Sequence, residues 1–87
     1  WIPVVKVLKK SEFLGIIKKK VLEEAGELMR SKDEKELIGE IVDLQELLDV
    51  LAAEIKLTKS AVGKLQAIKR QKRGGFKKRL FLIEERK

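Results

Sequence analysis

Two pairs of acidic residues in the sequence have the types and spacing of a site for a divalent cation. Glu24 and Glu27 lie in the stretch EEAGE, and Glu40 and Asp43 begin and end the stretch EIVD. Residues three apart on a helix lie on the same side, with about 5–6 Å between their Cβ atoms. Each pair could therefore direct two carboxylates toward one ligand.

One member of each pair lies inside an apolar stripe when the sequence is drawn as a helix. At roughly 100° per residue, Glu24 falls between Phe13 and Ile17, and Glu40 falls among leucines. Their partners lie at the edges of the stripes. Burying an unpaired carboxylate costs several kcal/mol, so something must neutralise these acids if the two stripes pack together.

The composition narrows the choice of what could neutralise the acids. The chain has no histidine and no cysteine, which excludes imidazole chemistry, disulfide bonds and thiolate metal sites. Of the nearby lysines only Lys20 borders the first stripe, so a hard cation bound by oxygen, Mg²⁺ or alternatively Mn²⁺, is the expected partner. The alternative is that these are ordinary solvated helix acids, and pairing with lysines across helices stays open for Glu27 and Asp43.

The charges of the chain are unevenly divided. Residues 1–55 carry nine Lys/Arg and twelve Asp/Glu, a net of −3, whereas residues 56–87 carry twelve and two, a net of +10. An acidic half joined to a basic half could bind a metal ion together with a phosphate group, and the basic half could equally bind a nucleic acid. Arg73 and Lys77 flank two glycines that let the backbone approach a ligand, so these cations and Lys20 are the predicted substrate contacts. A solvated basic tail, or lysines interacting with a helix dipole, is the alternative.

Three helices and two short strands are predicted to position these groups. The first helix is predicted over 11–31 with Ser11 as N-cap, and the second over about 34–57 with Asp33 as N-cap. The third is predicted over 59–73, with Thr58 as N-cap and two glycines, Gly74 and Gly75, as the stop. Residues 1–8 and 76–85 are rich in β-branched and large apolar side chains and are predicted as strands that could pair. We expect one mainly α domain over residues 1–87.

The second helix is apolar nearly all round, which indicates burial on most sides. In a chain of 87 residues two other helices cannot cover it, so we expect a second copy of the chain to do so, in a homo-oligomeric helical bundle. No apolar run approaches the roughly 20 residues that span a bilayer, and no signal-peptide pattern opens the chain. These features predict a cytoplasmic protein with no membrane partner, and Trp1 in place of Met predicts that some residues precede the given sequence.

The order and placement of the motifs resemble those of a known family. EEAGE followed by EIVD is similar to the E-x-x-E … E-x-x-D signature of the all-α nucleoside triphosphate pyrophosphohydrolases. These are the MazG-like enzymes, whose relatives include phosphoribosyl-ATP pyrophosphohydrolase and the dimeric dUTPases. The stretch KRQKRGGFKKRLFL, residues 69–82, resembles the RGGF tail of small phosphoribosyl-ATP pyrophosphohydrolase-like proteins. The similarity extends from about Phe13 to Leu82.

The resemblance implies an α-helical fold that dimerises or tetramerises, and Mg²⁺-dependent cleavage of a nucleoside triphosphate to the monophosphate and pyrophosphate. By position it makes Glu24, Glu27, Glu40 and Asp43 the metal ligands. One carboxylate, Glu27 or Glu24, is expected to accept a proton from the attacking water. Two other classes of protein stay open: a nucleic-acid-binding module that uses residues 69–79, and a non-catalytic helical oligomer.

Overall fold

The computed structural model describes residues 3–74, and the regular secondary structure in this part of the chain is helical. Helix α1 spans Lys10–Met29, α2 spans Glu34–Glu54 and α3 spans Lys59–Arg73. The prediction of a mainly α fold with three helices is confirmed. The described residues divide at 57/58 between two compact units, the first with α1 and α2 and the second with α3.

Helix α1 begins before its predicted cap. The prediction of Ser11 as N-cap is wrong, because the Lys9 carbonyl already accepts a helical hydrogen bond of 2.9 Å from the Phe13 N–H. Lys9 is the cap residue, and its side chain makes no capping bond. The helix ends at Met29, two residues short of the prediction.

The start of α2 is held by two side chains that bond to the backbone. The Asp33 carboxylate accepts a hydrogen bond of 2.8 Å from the Glu36 N–H, which confirms the predicted cap. The Glu36 carboxylate in turn accepts a bond of 2.8 Å from the Lys32 N–H. The first bond satisfies a backbone donor that the helix leaves free, and the second ties the residue before the cap to the first turn, so together they define where α2 begins.

The end of α2 is a tight turn with an unusual residue in it. Leu57 N–H donates to the Ala52 carbonyl at 2.8 Å and Lys56 N–H donates to the Ala53 carbonyl at 3.0 Å, the pair of bonds that ends many helices. The turn requires a left-handed backbone at Lys56, whose φ is 58°. The helix therefore stops at Glu54, before the predicted end near residue 57.

Both ends of α3 agree with the sequence prediction. The Thr58 hydroxyl accepts a hydrogen bond of 3.1 Å from the Ala61 N–H. Gly74, the C-cap, has a φ of 72°, a conformation that glycine adopts without steric conflict. Gly75 lies outside the described residues.

Helices α1 and α2 pack against each other as a hairpin. They are joined by residues 30–33, a connection short enough to bring consecutive helices side by side. Among the described residues only Ile17 is a buried apolar side chain, 8% exposed. Several other apolar side chains of the two helices are half-buried, among them Phe13, Val21, Leu28, Leu44, Leu47 and Leu51. The hairpin thus has a thin core.

The predicted N-terminal strand does not form over residues 3–9, which carry neither helix nor strand. Val4, Val5 and Val7 are at least 82% exposed there. A strand needs a hydrogen-bonding neighbour, and the predicted one, residues 76–85, lies outside the described residues. No described helix is long and apolar enough to cross a membrane.

Candidate metal centre

The hairpin brings the two acid pairs to the same level. Glu24 lies five residues before the end of α1 at Met29, and Glu40 lies six residues after the start of α2 at Glu34. Since residues 30–33 turn the chain back on itself, similar distances from the turn place the two carboxylates opposite each other. The bonds of Asp33 and Glu36 at the start of α2 help to set this register.

Three of the four predicted ligands come together. Glu24, Glu40 and Asp43 each offer one carboxylate oxygen, and these oxygens all lie within 4.8 Å of one another. Glu24 and Glu40 are half-buried and Asp43 is exposed, as their places inside and at the edge of the stripes predict. Among residues 3–74 no other group of three acids comes so close.

Two oxygens in this group are buried without a hydrogen-bond partner. Oε2 of Glu24 and Oε2 of Glu40 are shielded from solvent, and no described residue donates to either atom. No lysine or arginine between residues 3 and 74 forms an ion pair with these acids. Leaving a charged acceptor buried and unpaired is unfavourable, so the described residues alone do not balance the group.

The protonation of Glu24 reflects the same imbalance. Its pKa is raised from the ordinary 4.5 to about 7. The largest cause is a hydrogen bond shared with the Glu40 carboxyl, followed by loss of contact with water and by repulsion from Glu27, Glu40 and Asp43. That bond requires a proton on one of the two carboxyl groups. With both ionised, both groups are acceptors only, and their two buried oxygens have no donor.

Glu27 and Lys20 lie beside the group rather than in it. Glu27 is exposed and outside the close triad, although its charge contributes to the raised pKa of Glu24. Lys20, one turn before Glu24, is also exposed. Glu27 thus has an open path to solvent or to a bound molecule.

The other predicted substrate contacts lie in the second half of the chain. Arg73 is the exposed last residue of α3, in the unit that begins at Thr58. Lys77 lies outside the described residues. Their assignment to a substrate stays a prediction.

The sequence prediction did not separate the two edge acids, Glu27 and Asp43. Asp43 joins the close group and Glu27 does not, a difference that depends on how the helices are rotated against each other. A local signal did exist for Glu36, another acid near the stripe edge. Its place three residues after Asp33 is that of the second residue of a capping box, and its carboxylate accepts a hydrogen bond from the N–H of Lys32, the residue before the cap.

The donor set of the triad fits a hard divalent cation. Glu24, Glu40 and Asp43 offer only carboxylate oxygens, and two of these are buried with no other partner. Mg²⁺, Mn²⁺ and Ca²⁺ prefer such ligands. A cation bound there would satisfy the two buried oxygens and remove the repulsion between the acids.

Comparison of the chain with protein-family models, curated proteins and solved structures finds no match.

Proposed function

We propose that the protein is a Mg²⁺-dependent nucleoside triphosphate pyrophosphohydrolase, which cleaves a nucleotide such as an NTP or phosphoribosyl-ATP to the monophosphate and pyrophosphate. The observation that carries the proposal is the meeting of Glu24, Glu40 and Asp43 around two buried, unpartnered oxygens. The resemblance of EEAGE and EIVD to the family signature supports the choice of reaction.

Glu24, Glu40 and Asp43 would hold the ion, with Glu27 as the fourth acid at its edge. Bound Mg²⁺ in such a site neutralises phosphate oxygens and orients water for in-line attack. The protein's part is to keep the carboxylates in place before the substrate arrives, which the α1–α2 hairpin does by packing.

Glu27 is our choice for the residue that accepts the proton of the attacking water, with Glu24 as the alternative. Glu27 is exposed and outside the triad, so it can reach a water molecule without giving up a ligand position. A carboxylate within reach of the attacking water can act as a general base.

Lysine and arginine side chains would bind the phosphates that the ion does not reach. Lys20 has no ion pair with a described residue and lies one turn from Glu24, so its charge is available. Arg73 and Lys77 are the further candidates, since guanidinium and ammonium groups are the usual phosphate ligands.

The proposal includes a homo-oligomer of two or four chains. With Ile17 as the one buried apolar side chain between residues 3 and 74, a single chain gains little from burial. Ordering the backbone costs about 1–2 kcal/mol per residue, so association would supply the missing apolar contacts.

The test is an assay of the purified full chain with a panel of nucleoside triphosphates, modified nucleotides and phosphoribosyl-ATP. Mg²⁺ should support release of pyrophosphate and EDTA should stop it. Glu40→Gln should abolish the release, whereas Glu23→Gln should retain it, because Glu23 is exposed and lies outside the triad. Release of orthophosphate, or no release from any nucleotide in the panel, would refute the proposal.

Binding to nucleic acid is the second candidate, and one observation favours it. Helix α3 carries six Lys/Arg and no Asp/Glu. A helix with this positive charge is attracted to the phosphate backbone of a nucleic acid. Tight binding to unrelated DNA that weakens steeply with salt, without Mg²⁺-dependent hydrolysis, would favour this function over the enzyme.

A further inference from the structure

The part of the chain that begins at Thr58 is rich in positive charge. Residues 58–83 contain nine Lys/Arg and no Asp/Glu, and α3 carries six of these cations. The stretch itself supplies no carboxylate to balance them. A segment with this charge attracts anionic surfaces and anionic molecules.

Helix α3 also has an apolar stripe. Ala61, Leu65 and Ile68 recur at spacings of four and three, so they lie on one side of the helix. Leu65 is 51% exposed and Ile68 is 49% exposed. Since α3 is the one helix described in the unit that begins at Thr58, no other described helix of that unit covers the stripe. Helix α3 is therefore amphipathic, with a strongly basic polar side.

Lysines border the apolar stripe on both sides. At roughly 100° per residue, Lys64 lies about 40° from Ile68, and Lys69 lies about 40° from Leu65. Both lysines are exposed. A lysine in such a place can lay its methylene stem on an apolar surface while its ammonium group reaches a polar layer. Amphipathic helices that rest on membranes have this arrangement, with the apolar side at the acyl chains and the cations at the headgroups.

The sequence after α3 combines the same two properties. Residues 76–83 read FKKRLFLI, which is three cations and five large apolar residues. Clusters of Lys/Arg next to an amphipathic helix are attracted to anionic lipids, and large apolar side chains add to the binding where they leave water. A nucleic acid would bind the cations but would leave the leucines and isoleucines without a partner. An anionic membrane surface binds both, so the composition favours it.

We propose that α3 attaches the protein to the surface of a membrane that contains anionic lipids. Leu65 and Ile68 face the boundary between headgroups and acyl chains, and Lys64, Lys69 and Lys72 contact the anionic headgroups. The sequence prediction of no membrane partner is based on the lack of an apolar run that could span a bilayer, and attachment at the surface requires no such run. The inference does not rest on the proposed hydrolysis, and its test uses neither nucleotide nor metal.

The first test is co-sedimentation of the full chain with vesicles. The vesicles consist of phosphatidylcholine alone or of phosphatidylcholine mixed with phosphatidylserine. The unaltered chain should bind the mixed vesicles much more tightly than the neutral ones, and high salt should weaken this binding. Lys69→Gln with Lys72→Gln should bind about 30-fold more weakly. Lys18→Gln with Lys19→Gln, two exposed lysines of α1, removes the same charge and should bind almost as the unaltered chain does.

A second pair of variants tests the apolar stripe at constant charge. Leu65→Gln with Ile68→Gln should weaken binding to the mixed vesicles at least about 10-fold, because the apolar contact is lost. Leu22→Gln with Met29→Gln, which replaces two apolar residues of α1 that are 76% and 79% exposed, should have little effect. Circular dichroism verifies that each variant is still helical, and Ala at positions 65 and 68 provides a milder change if Gln unfolds the protein.

Fluorescence tests which side of α3 enters the membrane. The sequence has a single tryptophan, Trp1, so Trp1→Phe gives a background for one new tryptophan. With mixed vesicles, Leu65→Trp should shift its emission to shorter wavelength and be quenched by lipids brominated on the acyl chains. Gln66→Trp, at a position about 100° further round the helix, should show neither effect.

Four results would overturn the proposal. The unaltered chain could fail to bind the mixed vesicles at low salt, whether or not it binds unrelated DNA. The change at Leu65 and Ile68 could leave binding unaltered in a helical variant, which would mean that charge alone attracts the chain. The lysine changes on α1 could weaken binding as much as those on α3. The tryptophan at position 65 could be quenched no more than the one at position 66.

Discussion

Binding of a divalent cation at Glu24, Glu40 and Asp43 should release a proton in a strongly pH-dependent way. The pKa of Glu24 in the folded, metal-free protein is about 7, and a metal ligand must be ionised to bind. Glu24 is therefore about 90% protonated at pH 6 and about 10% at pH 8. Cation binding should release about 0.9 proton from this residue at pH 6 and about 0.1 at pH 8.

The same pKa determines the sign of the effect on stability without metal. The folded-state pKa of Glu24, about 7, is above the ordinary 4.5 of an unfolded chain, so the folded protein binds more protons between these values. The contribution of Glu24 to stability is fully present below about pH 4.5 and is lost as the pH rises through 7. The metal-free protein should therefore lose thermal stability, relative to Glu24→Gln, between pH 5 and pH 8.

Isothermal titration calorimetry with Mg²⁺ or Mn²⁺ measures the proton release, if each titration is repeated in two buffers of different ionisation enthalpy. Glu23→Gln is the matched control and should keep the pH dependence, because Glu23 is exposed and outside the triad. Glu24→Gln should lose it. A proton release that is equal at pH 6 and pH 8, or that persists in Glu24→Gln, would show that Glu24 is not the titrating ligand.

Three further predictions concern stability. Lys56→Gly should stabilise the protein by about 0.5–1 kcal/mol in urea unfolding, because glycine adopts the positive φ of 58° without steric conflict; an unchanged or lower midpoint would contradict this. Asp33→Ala should destabilise it by about 0.5–2 kcal/mol through loss of the bond to the Glu36 N–H. Asp33→Asn should keep most of the stability, because an asparagine side chain can accept the same bond. Glu40→Leu should raise the melting temperature of the metal-free protein by removing a buried, unpartnered oxygen, and should abolish the rise caused by Mg²⁺. A Mg²⁺-induced rise equal to that of the unaltered chain would mean that the ion binds elsewhere.

The local features of the fold could be predicted from the sequence because they involve short-range hydrogen bonds. Asp33, Thr58 and Gly74 act at helix ends through partners within three residues or through their own backbone angle. Ser11 shows the limit of this reasoning, since a residue suited to capping lies inside α1 when the residue two before it already starts the helix.

The periodicity of the apolar residues predicted the inward acid of each helix separately. It placed Glu24 and Glu40 inside their stripes, and both are half-buried with a shielded oxygen. This works because a helix has a constant turn per residue, so the side that packs can be read from spacing alone.

Only the packing of α1 on α2 decided which acids meet. Glu27 and Asp43 are equivalent in the sequence as edge members of their pairs, yet Asp43 joins the triad and Glu27 stays exposed. Their difference arises from the rotation of one helix against the other, which is set by side chains far apart in the chain. The sequence by itself determined the three helices, the N-caps of α2 and α3 and the two inward acids, since each depends on near neighbours. The tertiary structure decided the membership of the triad, because that depends on distances between helices.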